Sequence, residues 1–408
     1  MLCSISEIHT RLPYSQRNVD IILNGNNLII TGGNGCGKTS FITAIYSYLK
    51  DMIVNPNNHD ISYQEQEIAK LERWISQGGR DSSHYDHYIQ EIKNSQQRIK
   101  QLQNSSILVN SNENNETRSL LRFHEATRQA SISSPIETPK YSTLIDKHKH
   151  FPNDKDGSSF FESYLLSLKK NQSYAIAFDK NEKEAGRIEQ WFDKIQIDLR
   201  SLFEDEELVL EFNTKDEKFY LHQSDKDKYT FQTLSAGYSS ILSIYTDLIM
   251  RVEMWEVTPD NIEGIIFIDE IDAHLHVSLQ KQILRFFVKS FPKVQFIVTT
   301  HSPFVVTSIE DVVIYDLTAN EQITDVSSYS YDVVMEEIFK VLPDSHVLTD
   351  KLTKIKELSE NITANNIDEL NKALTSLAAE QESMSTNSQA FLDFVKLKLI
   401  QEKNKIIK

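Results

Sequence analysis

Residues 32–40 read Gly-Gly-Asn-Gly-Cys-Gly-Lys-Thr-Ser and match G-x-x-x-x-G-K-[ST], which is a strong signal between a strand and a helix. Residues 28–30 form an apolar run, and residues 41–49 carry apolar side chains at helical spacing. Backbone N–H groups of such a loop can wrap a phosphate, Lys38 can reach β- and γ-phosphates, and Thr39 can hold Mg²⁺. A chance glycine turn is the alternative, but every element stands in order. The predicted phosphate-binding residues are Gly32, Gly33, Asn34, Gly35, Cys36, Gly37, Lys38, Thr39 and Ser40.

A second candidate is an apolar strand that ends in two acidic residues. Residues 264–270 read Gly-Ile-Ile-Phe-Ile-Asp-Glu. Asp269 and Glu270 would therefore lie at the carboxyl edge of a parallel sheet, where ligands bind in open α/β folds. Asp269 could hold Mg²⁺ directly or through water, and Glu270 could orient or deprotonate an attacking water. An acidic strand end in a loop is the alternative, but it would not explain the unbroken apolar run.

Two further motifs are weaker when each stands alone. Residues 234–237, Leu-Ser-Ala-Gly, precede a predicted amphipathic helix over 241–254, so the Ser235 hydroxyl would cap the helix and its N–H groups would face an anion. An ordinary helix cap is the default alternative. Residues 296–303, Phe-Ile-Val-Thr-Thr-His-Ser-Pro, predict a buried strand with a polar end, which would place His301 near a γ-phosphate unless it is a capping histidine. The candidate residues of the first motif are Leu234, Ser235, Ala236 and Gly237.

Several polar residues leave alternatives open. Residues 272–276, Asp-Ala-His-Leu-His, have too few ligands at defined spacing for zinc, and we predict a loop beside the nucleotide and at a subunit contact. Arg11 and Arg17 are either solvated loop cations or nucleotide contacts. Gln129 is a candidate contact to a metal or water at a sheet–helix junction, although a surface polar residue is the simpler interpretation.

The elements that must position these residues alternate between strand and helix, which predicts an α/β fold. Residues 59–104 contain two polar stretches with narrow apolar stripes and a glycine turn between them, which predicts a short antiparallel helical hairpin; ordinary surface helices are the alternative. Residues 104–117 are rich in Asn, Ser and Glu and predict a flexible link. The predicted domains are a head formed by 1–58 and 105–330, the hairpin 59–104, and a helical C-terminal region 331–408.

The composition predicts a soluble protein with no membrane association. Charged residues make up 25% and hydrophobic residues 39% of the 408, no apolar run approaches the roughly 20 residues of a membrane span, and no signal peptide is evident. Cys3 and Cys36 are the two cysteines, so a structural disulfide is not expected and a reducing cytoplasm fits. The net charge of −16 does not favour broad electrostatic binding to nucleic acid, although a local basic groove could exist.

The order phosphate loop, L-S-x-G, Asp-Glu strand and Thr-His strand resembles the ABC-type ATPase heads of the SMC, RecF and OLD-like group, over roughly residues 1–58 and 105–330. The resemblance implies an ABC-ATPase head with a mixed or parallel sheet and flanking helices, with ATP and Mg²⁺ as cofactors. It implies that Glu270 and His301 are catalytic and that Thr39 and Asp269 hold the metal. It also implies a homo-oligomer, at least a dimer, in which residues 234–237 (the signature segment) of one head contact the γ-phosphate bound to the other.

The forms D-A-H-L-H and F-P-K-V-Q-F-I-V-T-T-H-S-P look most like the stand-alone ATPases, called PtuA, of Septu and retron anti-phage systems, with the PARIS ATPase as a second candidate. This resemblance implies a sensor or scaffold ATPase that restrains a separate effector, a nuclease or a toxin. A DNA-repair or chromosome-maintenance ATPase is the alternative, and nucleic-acid binding, direct or indirect, stays open. A nucleotide-binding module without hydrolysis is a third hypothesis, against which Glu270 argues. The tail helices would dock a partner or another copy, or simply cap the head.

Overall fold

The computed structural model describes residues 2–78, 84–111, 119–128, 132, 140–148, 155–224, 226–324, 326, 329–339, 344–363, 366–381 and 384–406. Gln129, the candidate glutamine, lies outside these residues. The chain divides into two compact units, Met1–Ser328 and Tyr329–Lys408. The domain boundaries predicted above remain predictions.

The first unit contains the strands of the described chain, and five of them form a parallel array. In chain order they are β1 (Leu2–Arg11), β2 (Asn18–Ile22), β3 (Asn27–Thr31), β4 (Ser106–Ser111), β5 (Ser119–His124), β6 (Val209–Asn213), β7 (Lys218–His222), β8 (Glu263–Ile268), β9 (Val294–Thr299), β10 (Val312–Asp316) and β11 (Glu321–Thr324). The main sheet has the order β11-β10-β3-β9-β8-β5, in which only β11 runs antiparallel to its neighbour. Strands β2-β1-β4 form a separate antiparallel sheet, and β6-β7 form a hairpin.

The helices surround these sheets and also form the second unit. In chain order they are α1 (Lys38–Val54), α2 (Ile61–Gly78), α3 (Tyr85–Asn104), α4 (Tyr141–His148), α5 (Phe161–Ala177), α6 (Glu182–Phe203), α7 (Ala236–Met254), α8 (Val277–Gln280), α9 (Ile283–Ser290), α10 (Pro303–Val306), α11 (Tyr331–Glu337), α12 (His346–Glu360), α13 (Ile367–Leu377) and α14 (Thr386–Ile406). Within the described residues no helix is both long enough and apolar enough to cross a bilayer. The predicted α/β class with a mixed, mainly parallel sheet is confirmed.

A single apolar cluster joins α1 and the antiparallel sheet to the main sheet. It includes Ile5 and Ile21 from the antiparallel sheet, Phe41 and Ile45 from α1, and Phe267 from β8, all of them buried. Strands β8 and β9 are mostly apolar and are buried without alternation because both faces of a parallel sheet are covered. Burial of this kind, at roughly 25 cal/mol per Å² of apolar surface, is what fixes the strand edge that carries the polar residues.

Helix α7 differs from its prediction in both start and character. It begins at Ala236 rather than near 241, and every side chain over 240–252 is buried. An amphipathic helix would leave one face in solvent. Here polar residues such as Asp247 and Arg251 also lie in the interior, because they are paired with each other and with β5.

The predicted hairpin is present as α2 and α3. The two helices run antiparallel, with Trp74 of α2 and Tyr88 of α3 in ring contact at 5.6 Å near the turn end. Ser95, which interrupts the apolar stripe of α3, is buried between them. The flexible link predicted for 104–117 is wrong over its first half, where β4 pairs with β1, for example at Ile8↔Ile107. The polar composition of this segment did not indicate a strand, because its backbone hydrogen bonds depend on the partner strand β1. Residues 112–118 lie outside the described part of the chain.

The second unit is helical and has its own small core. Leucines from α13 and α14 pack with Ile355 of α12, and Leu370, Leu392 and Val395 are at most 1% exposed. The Asp344 carboxylate accepts hydrogen bonds from the backbone N–H and the hydroxyl of Ser385 at 3.1 and 3.0 Å, which closes the unit on itself.

Candidate functional site

The predicted site residues come together because their strands are neighbours. Strand β9 lies between β3 and β8, and all three are parallel, so their carboxyl ends share one edge of the sheet. The phosphate loop follows β3, Asp269 and Glu270 follow β8, and His301 follows β9. Open α/β sheets bind ligands at this edge.

The phosphate loop is shaped by glycines at positive φ and by a contact from β10. Gly32 has φ +135° and Gly37, the N-cap of α1, has φ +100°. A Cβ on Gly32 would lie 2.9 Å from both the Cys36 Sγ and the Thr318 Oγ1, so only glycine fits there without displacement. The Gly33 N–H donates to the same Thr318 hydroxyl at 2.8 Å, which joins the loop to the turn that follows β10.

Lys38 is held against its own loop. Its ammonium donates to the carbonyl oxygens of Gly32 and Gly33 at 2.9 and 3.2 Å, and the residue is only 7% exposed. These bonds hold the positive charge inside the curve of the loop. The charge is therefore placed where a bound phosphate would be enclosed.

The acidic turn after β8 is clamped by Thr299, a residue that the sequence analysis did not single out. The buried Thr299 hydroxyl donates to Asp269 Oδ1 at 2.6 Å and accepts from the Glu270 N–H at 2.7 Å. Glu270 has φ +45°, a left-handed conformation that is unfavourable for a residue with a Cβ. Within the described residues no donor reaches Asp269 Oδ2 or the Glu270 carboxylate, so both remain available to a ligand.

Arg128 is a second clamp that sequence reasoning missed. Its guanidinium donates to the carbonyl oxygens of Asp269 at 2.7 Å and Glu270 at 3.1 Å. Burial lowers the pKa of Arg128 to about 10, against the opposing effect of the nearby Asp269, Asp272 and Glu270 carboxylates, so it stays charged near neutral pH. In the sequence, the one feature that could have drawn attention to Arg128 is that it precedes Gln129, the candidate metal- or water-contacting glutamine.

His301 lies within electrostatic reach of the groups on all three strands. Burial lowers the pKa of His301, and the Lys38 charge lowers it further. The carboxylates of Asp272, Glu270 and Asp269 act in the opposite direction. The imidazole is therefore largely neutral near pH 7 and can serve as a hydrogen-bond donor or acceptor to a phosphate.

The signature segment meets the residue 272–276 loop of the same chain. A Cβ on Gly237 would lie 2.7 Å from the His274 carbonyl oxygen, so the glycine permits this close approach. Ser235 and Ala236 are exposed. The prediction that the Ser235 hydroxyl caps α7 is wrong: Ser235 is the N-cap residue, but its side chain makes no capping hydrogen bond, which leaves the hydroxyl for another partner.

The remaining polar candidates have local roles. Arg17 donates to the carbonyl oxygens of Leu317 and Thr318 at 2.9 and 3.2 Å, beside the phosphate loop. Asp316 accepts from the Thr318 N–H at 2.7 Å and so shapes the turn that contacts the loop. An apolar strand ending in aspartate, residues 312–316, was the signal that could have found it. The His276 side chain accepts from the Ser278 N–H as the cap of α8.

A buried ion cluster connects α7 to the strand next to β8. The Asp247 carboxylate accepts from Arg122 Nε at 2.9 Å and from Arg251 Nη2 at 3.2 Å. His124, at the end of β5, lies 3.7 Å from the same carboxylate, and its backbone oxygen accepts from the Asp269 N–H at 2.9 Å. Burial lowers the pKa of His124 to about 3, against the opposing effect of Asp247.

The residues of this edge fit a nucleoside triphosphate with Mg²⁺. The backbone N–H groups of Gly35 and Gly37 have no protein acceptor among the described residues, and first-turn N–H groups of a helix have no intrahelical acceptor. The Thr39 hydroxyl and the Asp269 carboxylate are hard oxygen donors of the kind that Mg²⁺ prefers. Lys38 supplies the cation.

A profile of the family described as "AAA domain, putative AbiEii toxin, Type IV TA system" matches residues 92–307, more than half of the chain. The matched range includes the signature segment, β8 and β9. The phosphate loop lies before it.

Curated relatives carry ATPase and Septu names. "Retron Vc95 probable ATPase" from Vibrio cholerae serotype O1 biovar El Tor is 24% identical over 348 residues, which are 70% of this chain and 67% of that protein. "Septu protein PtuA" from Bacillus mycoides (strain KBAB4) is 33% identical over 132 residues, which are 32% of this chain and 18% of that protein. The aligned part thus spans about two thirds of the first relative and less than a fifth of the second.

Among solved structures, the SMC head bound to the C-winged helix domain of ScpA is similar with a TM-score of 0.36 and 11% identity, covering 80% of this chain and 99% of that chain. The predicted resemblance to retron and Septu ATPases is confirmed by the sequence relatives and the family profile. The chain belongs to the AAA-domain family that this profile describes.

Proposed function

We propose that this chain binds and hydrolyses ATP as the ATPase component of a Septu- or retron-type defence system, and that its nucleotide state controls a separate effector protein. The observation that carries the proposal is the convergence of Lys38, the Asp269–Glu270 pair and His301 on three adjacent parallel strands. The names of the relatives supply the system to which such an ATPase would belong.

The chain's own groups divide the work of phosphoryl transfer. Lys38 and the N–H groups of the loop and of the α1 N-terminus would bind the phosphates, and Thr39 and Asp269 would hold Mg²⁺. Mg²⁺, when bound, neutralises charge on the β- and γ-phosphates. Glu270, whose carboxylate no described donor occupies, would take a proton from the attacking water. His301, as a neutral imidazole, would hydrogen-bond the γ-phosphate.

A pair of heads would complete each site. The exposed Ser235 hydroxyl is not used as a cap, and the α7 N-terminus adds partial positive charge. These groups would contact the γ-phosphate bound to Lys38 of a second copy. ATP would then tighten the pair and hydrolysis would loosen it, which would hold or release an effector.

The Glu270→Gln variant tests hydrolysis. The amide has a similar shape but cannot accept the proton, so we expect turnover to fall by roughly 10²–10⁴-fold while ATP affinity is retained. Lys38→Ala is the contrasting variant, in which affinity itself should be lost. Steady-state ATPase assays and equilibrium binding would measure both. Parental turnover in Glu270→Gln would show that another group is the base.

Mixed subunits test the shared site. Lys38→Ala and Ser235→Arg should each be inactive alone. A mixed pair contains one intact composite site and one doubly damaged site, so part of the ATPase activity should return. If mixed pairs form and remain inactive, sites are not shared in this way.

Copurification tests the effector. The chain would be expressed with its genomic neighbours, and proteins that co-elute in an ATP-dependent manner would be identified by mass spectrometry. A nuclease or toxin that elutes with the Glu270→Gln variant in ATP and dissociates in ADP is the expected result. Recovery of the chain alone in both nucleotides would count against effector control.

A further inference from the structure

A cavity of about 380 Å³ lies beside α1, separate from the phosphate loop that begins this helix. Its walls come from α1, from α3 of the hairpin, from β1 and β4, and from the segment between α1 and α2. No residue of the phosphate loop lines it, and its lining runs along α1 from Phe41 to Asp51, roughly 5 to 20 Å along the helix axis from Lys38 at 1.5 Å per residue. The volume is within the roughly 300–1,000 Å³ of typical small-molecule sites.

The cavity is cationic, on a chain whose net charge is −16. Arg11 of β1 and Arg98 of α3 both line it, and within the described residues neither forms an ion pair. The carboxylate in the lining, Asp51, accepts from Asn55 Nδ2 at 2.8 Å and from His59 Nε2 at 2.7 Å, and the Arg98 charge also acts on it without forming an ion pair. The Arg11 guanidinium, together with the donor groups of Arg98, can therefore receive an anion.

His59 supplies an unused polar atom in the same lining. Its Nδ1 is buried and has no hydrogen-bond partner among the described residues. Buried polar atoms are nearly always satisfied in folded proteins, so such an atom in a cavity wall indicates that a partner is supplied from outside the chain. The Asn58 and Gln101 side chains of the lining can add further hydrogen bonds.

The rest of the wall is apolar and partly aromatic. Phe41, Ile45 and Tyr48 line the cavity from one face of α1, and Leu102 and Ile107 line it from the hairpin and β4. The Tyr48 ring is held in an edge contact with the His59 ring at 4.6 Å, so it forms a fixed flat surface. Such a wall suits a flat, weakly polar group beside the charged one.

We propose that this cavity is a second ligand site, which binds a small phosphate monoester that carries a flat ring, with a nucleoside monophosphate as the prototype. Arg11 and Arg98 bind the phosphate, and the ring lies against Tyr48 and the apolar wall. Helix α1 carries the phosphate loop at its N-terminus and this wall along its length, and any coupling between the two sites would change both affinities by the same factor.

The test is calorimetric titration of the full-length protein with each nucleoside monophosphate. A non-hydrolysable ATP analogue is kept saturating so that the phosphate loop is occupied. We expect one site per chain for at least one of these probes. Arg98→Gln and Arg11→Gln should weaken it by about tenfold to a hundredfold, the loss expected for a charge-assisted hydrogen bond. Lys93→Gln, an exposed residue of α3 outside the lining, is the matched control and should not change it.

Two further probes define the ligand class. Inorganic phosphate and the unphosphorylated nucleosides should each bind at least tenfold more weakly than the best monophosphate. Absence of binding by every monophosphate up to millimolar concentration would overturn the proposal, as would equal binding by Arg98→Gln or by a probe without phosphate or without a ring. Binding of the ATP analogue is measured in the same samples, so failure here is distinct from failure of the ATPase proposal. Thermal melts confirm that each variant is folded.

Discussion

The phosphate loop and the acidic turn both place backbone in the left-handed region, but by different means. The loop uses glycine at each such position, as at Gly32 and Gly37. The turn after β8 has Glu270 at φ +45° and His274 at φ +63°. A left-handed residue with a Cβ costs roughly 1–2 kcal/mol, so something other than residue type must hold the turn.

Tertiary hydrogen bonds hold it. Thr299 joins the Asp269 carboxylate to the Glu270 N–H, and Arg128 binds the carbonyl oxygens of both residues. Hydrogen bonds of this kind contribute roughly 0.5–1.5 kcal/mol each, and more where a charge is involved, which is enough to offset the backbone cost. The conformation of the loop is thus local, whereas that of the turn depends on residues distant in sequence.

Of the changes that test this difference, adding one methyl group to the loop should have the largest effect, which is a loss of ATP affinity. Gly32→Ala forces an unfavourable φ and a Cβ at 2.9 Å from two side-chain atoms. Strain of about 1–3 kcal/mol should weaken ATP binding by about tenfold to a hundredfold. The matched control is Gly186→Ala in α6, where no atom lies within 4 Å and the added methyl should be neutral or mildly stabilising.

Binding of a fluorescent ATP analogue would measure the effect, and thermal melts would compare the two variants. If Gly32→Ala binds ATP as tightly as the parent does, the loop conformation does not depend on glycine at this position. That result would contradict the claim that the loop is determined locally.

Removing the Thr299 hydroxyl should have the next largest effect. Thr299→Val keeps the shape of the side chain but leaves the partly buried Glu270 N–H without its acceptor, so we expect turnover to fall by about tenfold while ATP affinity changes little. Thr299→Ser keeps the hydroxyl and is the matched control. Steady-state measurement of kcat and KM separates an effect on turnover from an effect on ATP affinity. A parental kcat in Thr299→Val would mean that the position of Glu270 does not depend on the Thr299 hydroxyl.

Acid should lower the folding stability through His124, the histidine whose backbone contacts the acidic turn. The pKa of His124 is about 3 in the folded chain and about 6.5 when exposed, so the unfolded chain binds more protons between these values. The contribution of His124 to the free energy of unfolding is therefore fully present above about pH 6.5. It decreases as the pH falls toward 3, by about 2 kcal/mol at pH 5. The backbone oxygen of His124 accepts from the Asp269 N–H, which connects the effect to the turn.

Denaturant unfolding between pH 7 and 5 would measure this slope. His124→Gln should reduce the slope, whereas His87→Gln, an exposed histidine of α3, should leave it unchanged. Equal slopes in the parent and His124→Gln would remove His124 as the source.

The sequence by itself determined the elements whose conformation is local. Glycine spacing predicted the phosphate loop, because few other residues adopt its backbone angles, and unbroken apolar runs predicted the buried parallel strands β8 and β9. The site edge followed from these, since carboxyl ends of parallel strands meet at one edge. The sequence did not predict that residues 106–111 form a strand, because a polar edge strand is recognised only when its partner strand is known.

Only the tertiary structure decided which side chains hold the acidic turn after β8. Arg128 contacts Asp269 across 141 positions of sequence, and Thr318 contacts Gly33 across 285. No periodicity or spacing encodes such pairs. The same holds for the cavity beside α1, where Arg11 and Arg98 come from elements that meet only because β1 pairs with the strand that follows the hairpin. Hydrogen bonds and charges act over a few ångströms in space, so their partners are set by packing and not by order along the chain.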